Sequence, residues 1–395
     1  MSGLSVISYP VIRWNETGEE KSARWRSESG TPPPKRVVIA DDRMTADTAY
    51  RLACEGTALL WRGDFQNARQ LLQAMTRRAH EKPRIRKNKK IPATPAEAFH
   101  LHRLAQSQRA RTLGMLLLPF NADHSIPLRR APDVRQACID AYGTETEGHP
   151  YITSLRGLQG IIGAYEWRKN GVEIPALGAR IHPHYGVFAP IRSEYIGLVN
   201  DAPLPELTAT PSVTLNMPVA FDIGTGTGVL AAVLARRGIK RIVATDQDPR
   251  ALACARENLT RLGLAAQVDV VQADLFPEGR AALVVCNPPW IPARPSSPLE
   301  HAVFDPESRM LRGFLNGLTA HLEPGGEGWL ILSDLAEHLG LRTRAELLAA
   351  IDAAGLKVLG KIDVKPQHPR VSDTSDPLHA ARAAELTSLW RLTAK

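Results

Sequence analysis

Asn287, Pro288, Pro289 and Trp290 follow one another directly after a short apolar run, and their types point to the handling of an NH2 group. The two prolines fix the backbone and remove amide donors, which leaves carbonyls free. The Asn287 side-chain oxygen and the Pro288 carbonyl then accept the two hydrogens of one planar NH2. Trp290 supplies a flat face on which a base or a planar amide stacks. Accepting those hydrogen bonds draws electron density onto the nitrogen as it attacks an electrophilic carbon. Holding the two partners in line does much of the work, and no separate strong base is needed. The competing reading is a proline-rich loop with a core tryptophan.

A second group of residues suits a nucleoside-like ligand. Asp222-Ile-Gly224-Thr225-Gly226-Thr227-Gly228 joins an apolar run to a helical one. Closely spaced glycines let the chain turn tightly and let a ligand approach without side-chain clash, and amides at a helix start suit an anionic or polar ligand end. Asp246 ends the next apolar run, about 20 residues on, where a carboxylate accepts from both hydroxyls of a ribose. A helix N-cap before Pro249 is the alternative for Asp246, but Asp248 fills that role better. Asp274 ends a third run and faces the same rim, where it accepts from an adenine amino group or stays an ordinary surface carboxylate. Glycines with a strand-two acid also fit a nicotinamide dehydrogenase, but a dehydrogenase gives the Asn-Pro-Pro loop no task.

The elements that must position these residues are regular from Val219 onward. Strands are expected at Val219–Ile223, Arg241–Asp246, Val268–Asp274, Ala281–Cys286, Gly328–Ser333, Leu356–Val364 and Leu386–Leu392. Helices are expected at Val229–Arg237, at Pro249–Leu262 with Pro at its first turn and Gly263 at its stop, at Glu307–Leu322 and at Thr343–Ala354. Strands alternating with helices require parallel pairing with right-handed crossovers. The last two strands have no long helix between them, which predicts an antiparallel final strand. The expected fold class is α/β: a doubly wound, seven-stranded Rossmann-like sheet whose ligands bind outside the carboxyl ends of its strands.

The set Phe221–Gly228, Ala244-Thr-Asp246, Arg256-Glu-Asn258, Ala273-Asp274-Leu-Phe276 and Asn287-Pro-Pro-Trp290 resembles class I methyltransferases. More closely it resembles the release-factor glutamine methyltransferases of the HemK type and the related small-domain methylases of RNA and DNA amino groups. Gly186-Val-Phe-Ala-Pro190-Ile-Arg192-Ser-Glu194-Tyr195 resembles the segment that those enzymes place before the glycine loop to cover the cofactor. The resemblance spans residues 186–395. It implies S-adenosylmethionine as cofactor and methyl transfer to a planar nitrogen. It also implies that Asp222, Gly224, Thr225, Gly226 and Gly228 line the methionine end, with Arg192 in the covering segment. Asp246 holds the ribose and Asp274 the adenine. Asn287 faces both cofactor and target nitrogen, and Pro288, Pro289 and Trp290 complete the target pocket. The chain departs from the glutamine methyltransferases in three places. They carry Tyr where this chain has Trp290, they continue after the fifth strand with an acidic-glycine segment where this chain has Leu332-Ser-Asp-Leu335, and residues 1–185 match none of their helical substrate-binding domains.

Composition bounds the rest. With 395 residues, two domains are expected, and the apolar fraction of 44% allows each a core. Residues 1–130 hold 23 Lys and Arg against 12 Asp and Glu, and residues 131–395 hold the remaining 26 against 29. The positive excess therefore lies in the N-terminal third, densest over Arg77–Lys90, and suggests contact with an acidic partner such as nucleic acid or simply a solvated face. Residues 1–36 read as a flexible arm ending in Thr31-Pro-Pro-Pro-Lys35. Residues 37–118 read as a smaller, basic, mainly α-helical domain, with Thr45–Arg78 helical about a turn at Gly63-Asp64 and a further helix over Pro95–Leu118 capped by Thr94. Residues 119–185 form a connection whose fold the pattern does not define. Cys54, Cys138, Cys254 and Cys286 are too scattered for a disulfide framework or a zinc site. His182-Pro-His184 lacks a third ligand, so no metal is expected. No run of about 18 apolar residues occurs, and Met1–Ile12 lacks a basic start followed by an apolar stretch, so the expectation is a cytoplasmic protein without membrane contact. The acceptor is a protein glutamine or an exocyclic amino group of RNA or DNA. A small-molecule amine and a non-catalytic binding protein on the same scaffold are the alternatives.

Overall fold

The computed structural model describes residues 9–80, 92–144, 148–206, 219–295, 300, 302–367 and 373–395. Two compact units divide the chain, residues 1–91 with 101–166 and residues 92–100 with 167–395. Among the described residues no helix is long and apolar enough to cross a membrane.

The first unit is a six-stranded sheet with helices, not a helical domain. β1 (Val11–Glu16) and β2 (Glu19–Trp25) make an antiparallel hairpin. Its turn residues Thr17 and Gly18 sit at φ 57° and 87°, as a tight hairpin turn demands. β3 (Arg36–Ala40), α1 (Ala46–Cys54), β4 (Thr57–Trp61), α2 (Phe65–His80), α3 (Pro95–Leu113) and β5 (Leu116–Phe120) follow, with β3, β4 and β5 parallel. α4 (Arg135–Tyr142), β6 (Tyr151–Ser154) and α5 (Leu155–Asn170) close the series. The strand order is β1-β2-β6-β5-β4-β3.

Three expectations are corrected here. The supposed arm 1–36 contains β1 and β2, whose Ile12 and Trp25 are buried; charged residues on the outward positions hid the alternation. The helical reading of Thr45–Arg78 breaks at β4, where Thr57-Ala-Leu-Leu-Trp61 is buried on both faces. A short run buried all round has no period to tell strand from helix. The helix from Pro95 ends at Leu113, and Leu116–Leu118 belong to β5. The undefined stretch 119–185 holds α4, β6 and α5, and Tyr165–Lys169 are helical, stopped by Gly171. Of the basic run Arg77–Lys90, residues 81–90 lie outside the described residues.

The second unit carries a small hairpin, β7 (Val172–Ile174) with β8 (Ala179–Ile181), and then α6 (Glu194–Asp201). Its central sheet is built from β9 (Val219–Ile223), α7 (Val229–Arg236), β10 (Arg241–Asp246), α8 (Pro249–Arg261), β11 (Val268–Gln272), β12 (Ala281–Cys286), α9 (Arg309–His321) and β13 (Leu322–Ser333). It continues with α10 (Leu335–His338), α11 (Arg344–Ala353), β14 (Leu356–Val364), α12 (His379–Ala384) and β15 (Thr387–Ala394). The order is β11-β10-β9-β12-β13-β15-β14, parallel as far as β13, with β15 antiparallel to both neighbours. The chain reverses direction across the sheet between β9 and β12, so their carboxyl ends splay and open a crevice.

Alternation assigns the two faces. Ala220, Leu283, Val285, Trp329, Ile331 and Leu389 pack with α6, α7 and α8. Phe221, Ile223, Val284, Cys286, Leu330 and Leu332 pack with α9 and α11. Local signals end the helices where expected. Asp248 accepts from the Arg250 amide at the start of α8, and Thr343 with Glu346 forms a capping box on α11.

Candidate cofactor and acceptor site

Asp222 lies on the α6 face of β9 and is buried. Its Oδ2 accepts from Thr225 Oγ1 at 2.6 Å and from the Ala231 amide at 3.1 Å. Burial pushes its carboxyl up to about 6, against the relief those two donors give. The loop that follows turns at Gly224, Gly226 and Gly228, all at positive φ. At Gly226 a Cβ would meet nothing within 4 Å, so the loop presents open backbone there. At Gly228 a Cβ would sit 3.2 Å from the Cα of Ala255, so glycine is what lets α7 start against α8.

Asp246, at the end of β10, grips the same loop. Its Oδ2 accepts from the Gly226 amide at 3.0 Å and its Oδ1 from the Asp248 amide at 3.0 Å. Burial raises this carboxyl too. Asp274 is exposed, and its two oxygens accept from Gln247 Nε2 at 2.7 Å and from Arg309 Nη2 at 2.8 Å.

β12 pairs with β9 so that Cys286 lies opposite Ile223. Asn287 therefore leaves the strand beside the glycine loop, on the α6 face. Trp290 is half-buried against both cores, and its indole N–H donates to Asn287 Oδ1 at 2.9 Å. One lone pair of that oxygen is thereby used, and the amide plane is fixed with the second lone pair remaining. The structure thus brings Asp222, the glycines, Asp246 and Asn287 to one rim, and leaves Asp274 at its exposed margin.

Residues 212–344 match the model of the family described as methyltransferase small domain. The chain is 35% identical over 183 residues to a release factor glutamine methyltransferase of Cereibacter sphaeroides, covering 41% of this chain and 62% of that protein. It is 41% identical over 141 residues to a ribosomal protein L11 methyltransferase of Pelotomaculum thermopropionicum, covering 35% of this chain and 38% of that one. Over residues 212–344 the chain is therefore similar to methyltransferase small domains. The chain spans less than two thirds of either relative's length. Among solved structures, a methyltransferase from Pyrococcus furiosus overlaps 61% of this chain and 99% of its own at 19% identity, with a TM-score of 0.38, too low to argue from.

Two features of the second unit had no role assigned from sequence. Asn258, buried on α8, accepts from the His182 amide at 2.8 Å and donates to the His182 carbonyl at 3.2 Å and the Thr227 carbonyl at 3.1 Å. It ties the segment before the glycine loop to the loop itself. His184 strengthens that tie, with Nε2 2.7 Å from Glu257. Burial would raise the Glu257 carboxyl, but Arg261, His184 and Arg168 hold it at about 2. The other feature is Glu385, whose carboxylate is fully buried before β15. Its Oε1 accepts from Ser333 Oγ at 2.7 Å and from Arg192 Nη1 at 3.3 Å, and its Oε2 is buried with no hydrogen-bond partner among the described residues. Nothing in the sequence singled it out, because it stands alone between an alanine-rich helix and a strand.

The donor set fits S-adenosylmethionine. The ligand's ribose requires a fixed carboxylate, and Asp246 is fixed by two amides. Its ammonium requires anionic acceptors. Asp222 is one, and Glu194 at the start of α6 offers another, with a buried Oε1 that has no hydrogen-bond partner.

Proposed function

We propose that this protein is an S-adenosylmethionine-dependent N-methyltransferase whose acceptor is the side-chain amide of a protein glutamine. The observation that carries the reading is the Asn287–Trp290 turn, held beside the glycine loop with its Asn287 oxygen oriented by the indole N–H. The relatives' names support a protein acceptor, one being a release factor methyltransferase and the other a ribosomal protein methyltransferase.

When bound, the cofactor supplies a methyl carbon on a sulfonium. Asp222 and Glu194 hold the ammonium, Asp246 the ribose and Asp274 the edge of the adenine. Gly224, Thr225, Gly226 and Gly228 give the backbone surface on which the methionine end rests, under the segment that carries Arg192. Asn287 Oδ1 and the Pro288 carbonyl accept the two N–H bonds of the target amide and turn its nitrogen lone pair toward the cofactor. Pro288 and Pro289 keep that carbonyl in place without a competing donor. Trp290 orients Asn287 and packs against the target plane. No side chain is asked to remove a proton before attack. As the N–C bond forms the S–C bond would break, leaving S-adenosylhomocysteine, and the extra proton on the nitrogen would pass to water once the methyl is in place, while the two oxygens hold the N–H bonds in line.

A base amino group in RNA is the second reading, favoured by the Lys and Arg excess of residues 1–130. The full chain incubated with methyl-tritiated S-adenosylmethionine and cell extract, followed by separate nuclease and protease digestion, decides between them. Label lost to protease and recovered as N5-methylglutamine is the expected result. Label lost to nuclease moves the acceptor to nucleic acid, and no macromolecular label overturns both readings.

A further inference from the structure

We infer that Glu385 is a positioning residue: it anchors Arg192 and so fixes residues 186–195 as a strap across the methionine end of the cofactor site. The inference rests on the methyltransferase reading and deepens it.

The strap is pinned at both ends. Upstream, His182 is bonded through its backbone to Asn258, the His184 amide donates to Cys254 Sγ at 3.3 Å, and Val187 packs on Ala251 and Cys254. All of these partners lie on α8, which lies alongside β10 and β11. Downstream, Arg192 Nη1 reaches Glu385 Oε1 at 3.3 Å. Glu385 is held at the sheet rim by Ser333 Oγ, and the next residue, Leu386, exchanges two bonds with Asp334: its amide donates to Asp334 Oδ1 at 2.7 Å and its carbonyl accepts from the Asp334 amide at 3.0 Å.

The strand order places those anchors on either side of the site. From β10 to β15 the sheet runs β10-β9-β12-β13-β15. Four strand spacings are about 19 Å, and eight extended residues reach about 27 Å. A strap leaving α8 at His184 and ending at Arg192 is long enough to cross the carboxyl ends of β9 and β12, where the glycine loop and Asn287 begin. Its last turn enters α6 at Glu194, whose neighbour Tyr195 is buried close enough to Asp222 and Glu194 for their charges to reinforce the upward push that burial gives its hydroxyl.

A buried carboxylate with one oxygen unpartnered is a costly way to close a core, and an apolar side chain of similar volume would pack there without that penalty. Glu385 Oε1 joins Ser333 on the sheet side to Arg192 on the strap side, so one carboxylate links the cover to the sheet rim.

Calorimetric titration of the full chain with S-adenosylmethionine, and separately with S-adenosylhomocysteine, tests the inference. Glu385→Gln keeps an acceptor for Ser333 and removes the charge that holds Arg192. Arg192→Met removes the partner from the half-exposed side and leaves the buried anchor folded. Each single variant is expected to weaken binding about tenfold, and the double variant no more than Arg192→Met alone, because Arg192→Met already removes the link that Glu385→Gln breaks. Amide exchange of residues 186–195 should quicken in all three, with exchange in β9 and β12 unchanged. Unchanged affinity in Glu385→Gln, or losses that multiply in the double variant, overturns the positioning role while leaving the methyltransferase reading in place. Failure of the wild type to bind either ligand overturns that reading, and this inference with it.

Discussion

Replacing Asp222 with Asn should make the protein more stable and a poorer binder of its cofactor. Burial raises the Asp222 carboxyl from the ordinary 3.8 to about 6, because ionising it there takes it out of water. That difference corresponds to about 3 kcal/mol. The sign follows from linkage. The folded chain holds the proton more tightly than the unfolded one, so this group's contribution to stability is greatest below pH 3.8. It is lost as pH rises toward 6, and above that the folded state carries the full penalty. Asn keeps an oxygen for Thr225 Oγ1 and the Ala231 amide. Its NH2 lacks an assigned acceptor, which returns part of the gain, so a net stabilisation of about 1–3 kcal/mol is expected at about pH 8. At about 2–4 °C per kcal/mol, melting of the second unit should rise by about 2–12 °C, with no gain near pH 4. The ligand's ammonium favours the ionised carboxylate, so wild-type affinity for S-adenosylmethionine should fall about tenfold per pH unit below 6, and the variant's should be flat. Melts from about pH 4 to 8, paired with titrations at the same values, measure both. An Asp222→Asn variant that melts no higher than wild type at the alkaline end refutes the burial argument, and a pH-independent wild-type affinity refutes the ammonium contact.

Asn287→Ala should keep cofactor affinity within a few-fold and lower turnover by about 10²–10³, the usual loss for an acceptor or donor that acts mainly in the transition state; unchanged turnover would remove Asn287 from the chemistry. Trp290→Phe keeps a flat ring but deletes the N–H that orients Asn287, so kcat should fall about tenfold at constant cofactor affinity, and a loss confined to cofactor binding would contradict the orienting role. Asn258→Ala leaves the His182 and Thr227 backbone groups without their partner in a buried place, which should cost about 2–4 kcal/mol in urea unfolding and weaken the cofactor as well. A loss under about 1 kcal/mol there would show that water replaces the amide freely.

The second unit was legible because its elements are locally consistent. Val219–Ile223 and Ala281–Cys286 are apolar runs bounded by glycine or proline, and Pro249 and Gly263 mark the ends of α8. The candidate site residues sit at or just beyond the ends of those runs, where a strand must stop, so the positions of Asp222, Asp246 and Asn287 on the strands were legible, while their roles came from the resemblance. The first unit was misread for a physical reason too. β4 is buried on both faces and carries no alternation, and β1 and β2 mix charged and polar residues through both faces, so their inward Ile12 and Trp25 looked like strays in a polar arm. Glu385 escaped, and Asn258 was part of the resemblance without a role, for a different reason. Their importance lies in bonds to residues far along the chain, Arg192 and Ser333 for one and His182 and Thr227 for the other, and no local pattern encodes such contacts.

Which face of the sheet serves the ligand follows from where polar groups are tolerated. On the α9 face the last strand residues of β9, β12 and β13 are Ile223, Cys286 and Leu332, all buried and sharing one apolar core. On the α6 face the corresponding residues are Asp222, Asn287 and Ser333, with Thr387 opposite Ser333 on β15. The register makes this a slanting row, each step from β9 to β12 to β13 moving two residues nearer the rim. An ordinary core would fill such positions with aliphatic side chains, since each buried polar group must be matched by a partner or destabilise the fold. Here the matching is incomplete in a patterned way: Thr225 and Ala231 satisfy one oxygen of Asp222, Trp290 takes one lone pair of Asn287, and Glu385 Oε2, Thr387 Oγ1 and Glu194 Oε1 have no hydrogen-bond partner. Unpartnered carboxylate oxygens at Glu194 and Glu385, close to the Asp222–Asn287–Ser333 row, suit a ligand that brings N–H groups. On the proposed function, a sulfonium amino acid at the β9 end and a primary amide arriving from the β13 end would supply such donors in that order.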